Sequence, residues 1–217
     1  PFFLLTVKTS QKHGQKASLV RYTMLALVMY IGVLVLLLLW KQGVPAFNLS
    51  LRSLNVYTVL FVLFFGIGYG AHYATAEMPI PLVADCSDYE TYRSGQYVPG
   101  IMGTLFSLVD KLVSSLGSTI VGAAVAMIGI QTLPDSKTPY SFGMNGVVLI
   151  MFCIVPMIAW IMTLIAMKGY SLTGSRMKEI QAVNAVRKDA INRGMSLEDA
   201  MQTWKEMDQV PEKFRQS

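Results

Sequence analysis

Two adjacent charged residues inside an apolar segment are the strongest chemical feature of this sequence. Asp110 and Lys111 follow Pro99 by about twelve residues, so Lys111 lies roughly 18 Å along a helix that rises 1.5 Å per residue. A charge near the middle of a bilayer costs roughly 2.5–3.5 kcal/mol on insertion scales, and such residues commonly serve a substrate or ion pathway. We interpret both residues in that way. The alternative is that they only neutralise charges on neighbouring helices.

Lys111 also belongs to a polar stripe. Successive residues of a helix diverge by about 100°, so Asp110 and Lys111 need separate partners, yet both fall within a stripe about 120° wide. A polar stripe on a spanning helix must face protein or a water-filled cavity. We interpret its glycine and serine members as packing residues rather than ligands. The stripe consists of Gly103, Ser107, Asp110, Lys111, Ser114, Ser118 and Gly122.

A third acidic candidate, Glu77, stands near the end of the preceding apolar segment. Pro79 and Pro81 follow it, and because proline lacks a backbone N–H they predict a kink or an opening of the helix. Glu77 is therefore a candidate coupling residue, with a purely structural role equally open. Upstream, the spacing of Gly66, Gly70 and Ala74 predicts a face of small side chains that permits close helix packing.

The elements that carry these residues are predicted from composition. Hydrophobic residues make up 53% of the 217-residue chain and charged residues 14%, against roughly a quarter charged in soluble domains. A helix needs roughly 20 apolar residues to cross a bilayer, and four runs qualify, at about 18–40, 54–84, 99–130 and 142–168. The sequence therefore predicts an all-α, polytopic membrane protein. Its net charge of +5 reflects basic segments beside the membrane and not a nucleic-acid partner.

The order of these segments predicts two regions. Residues 1–168 form a helix bundle, in which residues 1–7 end a helix that starts upstream, residues 8–16 form a basic loop and Pro156 kinks the last span. Residues 169–217 form a polar tail of two short helices, with a stop at Asn192–Gly194 and a capped start at Ser196. Lys and Arg cluster in residues 8–21, at Arg93 and in the tail, against Lys41, Arg52 and Lys137. The positive-inside rule therefore places the first loop, the loop at residues 84–97 and the tail in the cytoplasm.

The sequence gives no signature of an enzyme. Cys86 and Cys153 have the pattern of neither a disulfide nor a metal site. No nucleophile–base pair, metal cluster or phosphate-binding loop is recognisable. We therefore expect no catalytic activity and no cofactor.

The predicted loop at residues 84–97 carries a family resemblance. Its sequence ADCSDYETYRSGQY has the pattern Ala-Asp-x-x-Asp-Tyr-x-x-aromatic-basic, and Lys111 follows at a fixed distance. This combination resembles the segment between helices ten and eleven of the glycoside–pentoside–hexuronide:cation symporters, the melibiose permease-like branch of the major facilitator superfamily. The pattern is met by Ala84, Asp85, Asp88, Tyr89, Tyr92 and Arg93.

The resemblance implies that the chain is a C-terminal fragment, from the end of helix eight through helix twelve plus the tail. It implies cation-coupled symport of a sugar or glycoside by alternating access, with Na⁺ or H⁺ as coupling cation, in the inner cell membrane with a cytoplasmic tail. Lys111 matches the family's coupling lysine, while Asp110 departs from the pattern. Asp85, Asp88, Tyr89 and Arg93 would make cytoplasmic gate contacts. The implied partners are the substrate, the cation, membrane lipid and the N-terminal helices of the same carrier.

Two other functions remain open from the sequence. The first is a carrier of the same superfamily with a lipid-like or other amphiphilic substrate. The second is a membrane scaffold without transport activity, whose helical tail binds a soluble partner.

Overall fold

A computed structural model describes residues 2–41, 43–47, 49–50, 54–130 and 142–215. All regular structure in these ranges is helical, which confirms the predicted all-α class. The α-helices are α1 Phe2–His13, α2 Gln15–Leu39, α3 Val56–Thr75, α4 Pro79–Ser94, α5 Pro99–Met127, α6 Phe142–Val148, α7 Val155–Gly169, α8 Gly174–Asn192, α9 Leu197–Thr203 and α10 Glu212–Arg215.

Four helical stretches of the described residues are long and apolar enough to cross a membrane. They are Gln15–Leu39, Val56–Ser94, Pro99–Met127 and Gly143–Gly169. Four such stretches were predicted from composition, and the observed ones overlap the predicted spans. The predicted connection at residues 131–141 lies outside the described residues, as do Arg52 and Lys137, which were used to predict the orientation.

The loop predicted at residues 8–16 is wrong. Helix α1 continues to His13, α2 begins at Gln15, and the break is confined to Gly14. Gly14 has a φ of +87°, a backbone conformation that costs glycine little. Lysine has a good helix propensity, so a cluster of basic residues marks the end of an apolar run without ending the helix.

The loop predicted at residues 84–97 is wrong up to Ser94. Pro79 and Pro81 lie in the first turn of α4, where backbone N–H groups have no intrahelical partner, so the prolines begin a helix there. Thr75 ends α3, and the turn that follows carries Glu77. Helix α4 ends at Ser94 and is capped by Gly95, which has a φ of +73° and donates its N–H to the Thr91 carbonyl at 2.9 Å.

The sequence predicts a kink at Pro156, and the structure has a π-helical segment, Leu149–Ile154, just before α7, which carries Pro156 in its first turn. Pro156 has no N–H to donate to the carbonyl of the preceding turn, and such losses are absorbed by local changes of helix type. The last span is therefore one continuous stretch built from α6, the π segment and α7.

Helix α2 lies at the centre of the membrane bundle and packs against α1, α3 and α7. The core there consists of Ala26, Tyr30, Ala71 and Trp160. Helices α2 and α3 approach closely because Gly68 leaves room for Tyr30. A Cβ atom at Gly68 would lie 2.8 Å from the Tyr30 ring.

The face of small residues predicted on α3 is only partly packed. Gly70 contacts Phe2, and Ala74 is buried, but a Cβ atom at Gly66 would meet no atom within 4 Å. The close approach to α2 depends instead on Gly68, which lies outside the predicted set.

The tail has a hydrophobic core of its own, formed by Ala182, Val183, Val186 and Val210. Helix α8 ends at Asn192 as predicted, followed by Gly194 with a φ of +97°. The predicted cap at Ser196 is confirmed, because its Oγ accepts the Asp199 N–H at 3.1 Å. The structure adds two short elements to the two predicted helices: a 3₁₀ turn, Met207–Gln209, and α10.

Candidate functional site

Lys111 lies near the middle of a long spanning helix. Helix α5 runs from Pro99 to Met127, a length of roughly 43 Å, and Lys111 follows its start by roughly 18 Å. The side chains of Asp110 and Lys111 are exposed, and neither makes an ion pair within the part of the chain that the structure describes. Their assignment to a substrate or ion pathway stays a prediction.

Both the apolar side and the polar side of α5 are exposed in the part of the chain that the structure describes. Leu105, Leu108, Leu112 and Leu116 are each more than half exposed. On the polar stripe, a Cβ atom at Gly103 or Gly122 would meet no neighbour within 4 Å, so the described residues provide no close packing there. The Ser118 hydroxyl donates to the Ser115 carbonyl at 3.0 Å within the helix. The serines can therefore satisfy their hydrogen bonds within the helix. The charges of Asp110 and Lys111, by contrast, have no ion-pair partner among the described residues.

Glu77 lies apart from the α5 charges. Its side chain is exposed in the turn between α3 and α4 and lines a cleft of about 320 Å³. The other polar residues of this cleft include Ser10, Gln11 and Gln15, at the end of α1 and the start of α2. No ion pair joins Glu77 to Lys111 in the described ranges.

Asp85 is engaged by a tyrosine that the sequence analysis did not single out. The Tyr170 hydroxyl donates to Asp85 Oδ2 at 2.9 Å, and the Tyr170 carbonyl accepts from Lys16 Nζ at 2.6 Å. Burial and the hydrogen bond to Asp85 raise the pKa of Tyr170, so its hydroxyl remains protonated and able to donate at physiological pH. Tyr170 thus connects the first turn of α2 to α4 and to the link between α7 and α8.

The other predicted gate residues follow Asp85 on α4 and have different partners. The Asp88 carbonyl accepts from Asn184 Nδ2 of α8 at 2.8 Å, and Asp88 lines a cleft of about 500 Å³ between α4 and α8. Arg93 forms an ion pair with Glu90 at 3.2 Å and is 66% exposed, an arrangement that contributes little stability. The Tyr89 ring stacks on Tyr92 with centroids 6.5 Å apart. The structure therefore gathers these residues on one helix without joining them into one network of ion pairs among the described residues.

A buried arginine in the tail is a second residue that the sequence analysis missed. Arg187 of α8 is 7% exposed. Its Nη1 donates to the Tyr92 carbonyl at 2.7 Å, and its Nε donates to the Trp204 carbonyl at 2.8 Å. The guanidinium also lies 5.3 Å from the centroid of the Tyr92 ring. Burial lowers the pKa of Arg187, but a guanidinium remains charged at any physiological pH. The apolar positions of α8 were the only signal, and they do not identify the carbonyl partners.

A hydrogen bond between α3 and α7 was also missed. Trp160 Nε1 donates to His72 Nδ1 at 3.2 Å, so Nδ1 is unprotonated in this arrangement. The Tyr30 ring meets Trp160 edge to face at 4.7 Å. This polar contact sits beside the bundle core and joins the second span to the last one.

Comparison with known proteins finds a matching family model. A family model described as MFS/sugar transport protein matches residues 2–174. No curated protein and no solved structure matches the chain. The matched region includes the four candidate spans and ends where α8 begins, so the helices of the tail lie almost entirely beyond it.

Proposed function

Because the chain belongs to the MFS/sugar transport protein family, we propose that it forms C-terminal helices of a symporter. This carrier moves a sugar or glycoside together with Na⁺ or H⁺ by alternating access. Membership of the family supports the transport of sugars. The identity of the cation, the coupling of its movement to that of the sugar, and the melibiose permease-like branch are further parts of our proposal.

The observation that carries the proposal is the open charged stripe of α5. A lysine or aspartate that faces hydrocarbon at this depth costs roughly 2.5–3.5 kcal/mol on insertion scales, so we expect both residues to face protein or water. Carriers of this superfamily bind substrate near the bilayer midplane, between two halves that rock around the site. We therefore place further helices of the same carrier opposite α5, with the transport cavity between them. Membrane lipid covers the apolar faces that point away from the cavity.

The charged residues have distinct roles in this proposal. The Lys111 ammonium has three N–H donors for sugar hydroxyls and a charge that responds to the coupling cation. Asp110 is an acceptor-only group beside it, suited to a hydroxyl or a cation. Glu77 is a second acidic position, at the turn between α3 and α4, where a helix rearrangement would change its surroundings.

Helix α4 supplies the cytoplasmic gate in this proposal. Asp85, Asp88, Tyr89 and Arg93 lie on α4, which forms the last part of the second apolar stretch. In this proposal that end of the stretch faces the cytoplasm, as the tail does, and the carrier resides in the inner cell membrane. Asp85 is held by Tyr170 in the present arrangement. Transport requires that some contacts of this helix break and re-form as the halves rock.

Uptake by the full-length carrier in proteoliposomes tests the function. A labelled glycoside should accumulate when a Na⁺ or H⁺ gradient is imposed, and it should only equilibrate without one. Uptake of a labelled lysophospholipid, with no glycoside uptake under either gradient, would favour an amphiphilic substrate. A folded carrier that takes up neither compound would contradict the transport proposal and favour a scaffold.

A further inference from the structure

We propose that Arg187 is a positioning residue that fixes the tail to the end of α4, so that the tail and α4 move as one body during transport. We call the contact among Tyr92, Arg187 and Trp204 the tail junction. The attachment follows from the contacts of these residues alone. Its effect on transport rests on the proposed function.

The first observation is that the Arg187 side chain is buried. Removing a guanidinium from water is costly unless its donors are satisfied. Arg187 has no carboxylate partner in the described ranges, and it donates hydrogen bonds to backbone carbonyls of α4 and of the segment after α9. An apolar residue would fill the same space without that cost. Packing alone therefore does not explain the arginine. Its role is to bridge two separate segments through the rigid fork of N–H donors on its guanidinium.

The partner on α4 is the second observation. Tyr92 lies in the last turn of α4, where carbonyl groups have no intrahelical N–H partner. A cation at this end of a helix is also favoured by the helix dipole. Arg187 thus caps α4 from outside.

Other contacts reinforce the attachment. The Tyr92 hydroxyl donates to the Lys205 carbonyl at 2.7 Å, so Tyr92 is bonded to the tail at both its backbone and its ring. Asn184 Nδ2 donates to the Asp88 carbonyl one turn earlier on α4. The Arg176 guanidinium also lies over the Tyr92 ring, 5.2 Å from its centroid.

The connection from α4 to the charged helix is the third observation. Residues 95–98 join α4 to α5, and α9 of the tail packs on the turn that begins this link. A Cβ atom at Gly95 would lie 2.6 Å from the Sδ of Met201 and 3.1 Å from Leu197. The tail therefore holds both the end of α4 and the start of the link to the helix of Lys111. Releasing the tail should loosen the element that must move when access alternates.

Substitution of Arg187 in the full-length carrier tests both parts. Arg187→Ala removes the fork, and Arg187→Lys keeps the charge but cannot reproduce the two-carbonyl geometry. Arg193→Ala is the matched control, because Arg193 directly follows α8, is 68% exposed and pairs with Asp189 in the last turn of that helix. The readouts are the rate of proteinase K cleavage within the tail and the Vmax and KM of uptake in proteoliposomes.

We expect Arg187→Ala to speed cleavage of the tail at least about tenfold, as loss of a charge-assisted hydrogen bond would. Vmax should fall while KM changes less than about twofold, because the altered step is a conformational one and not substrate binding. Arg187→Lys should lie between Arg187→Ala and wild type. Arg193→Ala should match wild type in both readouts.

Each other outcome is decisive. If Arg187→Ala resists cleavage as well as Arg193→Ala does, the attachment is overturned. If the tail is released and Vmax is unchanged, the coupling to transport is overturned. If Arg187→Ala is not folded, Arg187→Lys decides by the same two readouts. If wild type shows no uptake while Arg187→Ala releases the tail, the proposed function fails and the attachment stands.

Discussion

Replacing Tyr170 by phenylalanine isolates the hydrogen bond that holds Asp85. The substitution removes the hydroxyl that donates to Asp85 Oδ2 at 2.9 Å. The ring remains in place against the cluster of Leu19, Met78 and Leu82, so no cavity forms. The bond from Lys16 also remains, because it is accepted by the Tyr170 backbone carbonyl. Any loss of stability can therefore be assigned to one contact.

The size of the loss follows from the chemistry of the pair. A hydrogen bond to a charged group contributes roughly 1.5–3 kcal/mol. Asp85 and Tyr170 are both half-buried, so some of that energy is replaced by water in the variant. We expect Tyr170→Phe to lower the free energy of unfolding by about 1.5–2 kcal/mol. After Asp85→Ala the same substitution should cost almost nothing.

Equilibrium unfolding of the full-length carrier in mixed micelles measures this coupling through a double-mutant cycle of Asp85→Ala and Tyr170→Phe. Tyr22→Phe is the matched control, because within the described residues the Tyr22 hydroxyl pairs with the neutral Thr9 hydroxyl, at a longer 3.3 Å. The control should lose about 0.5–1 kcal/mol. A coupling energy below about 0.5 kcal/mol between Asp85 and Tyr170 would refute the assignment, since independent sites add within that limit.

Two further predictions concern packing. Gly68→Ala places a Cβ atom 2.8 Å from the Tyr30 ring and should cost about 1–3 kcal/mol in the same unfolding assay. Gly66→Ala, which meets open space, is its control, and equal effects of the two would contradict the close approach of α2 and α3. Val183→Ala empties part of the tail core, where Val183 is 0% exposed, and should speed proteolysis of the tail. Ile191→Ala, at an exposed position of the same helix, should not.

Composition was sufficient to predict the spans. The apolar runs have the length that a helix needs to cross a bilayer. A helix forms all of its backbone hydrogen bonds within one segment, as lipid requires, and the all-α class was predicted for that reason. The caps at Ser196 and Gly194 were also predictable, because each depends on a few neighbouring residues. Sequence rules therefore succeeded for features that depend on residues close together in the chain.

The end of the second span was predicted wrongly for a physical reason. Pro79 and Pro81 break a helix in its interior, but in the first turn they remove only N–H groups that have no partner. The sequence offers both interpretations, and the polar residues that follow favoured a loop. Because this segment is the helix α4 and not a loop, one rigid element carries Asp85, Asp88, Tyr89 and Arg93.

The contacts of the candidate site could not be predicted from the sequence because their partners are distant along the chain. Tyr170 and Asp85 are 85 residues apart, and Arg187 and Tyr92 are 95 apart. Arg187 in particular resembles an ordinary surface residue of a polar helix. Its burial is set by three segments that meet only after folding. The position of Lys111 near the middle of α5, by contrast, could be predicted from its distance to Pro99 alone.

Accumulation of a labelled glycoside by the full-length carrier with Lys111→Ala tests the central claim most directly. Wild-type proteoliposomes should concentrate the glycoside under an imposed Na⁺ or H⁺ gradient. The Lys111→Ala carrier should retain a protease-resistant tail, which shows that it is folded, and should fail to concentrate the glycoside. Lys41→Ala, at an exposed position just after α2, should accumulate the glycoside normally. Gradient-driven accumulation by Lys111→Ala equal to that of wild type would contradict the account.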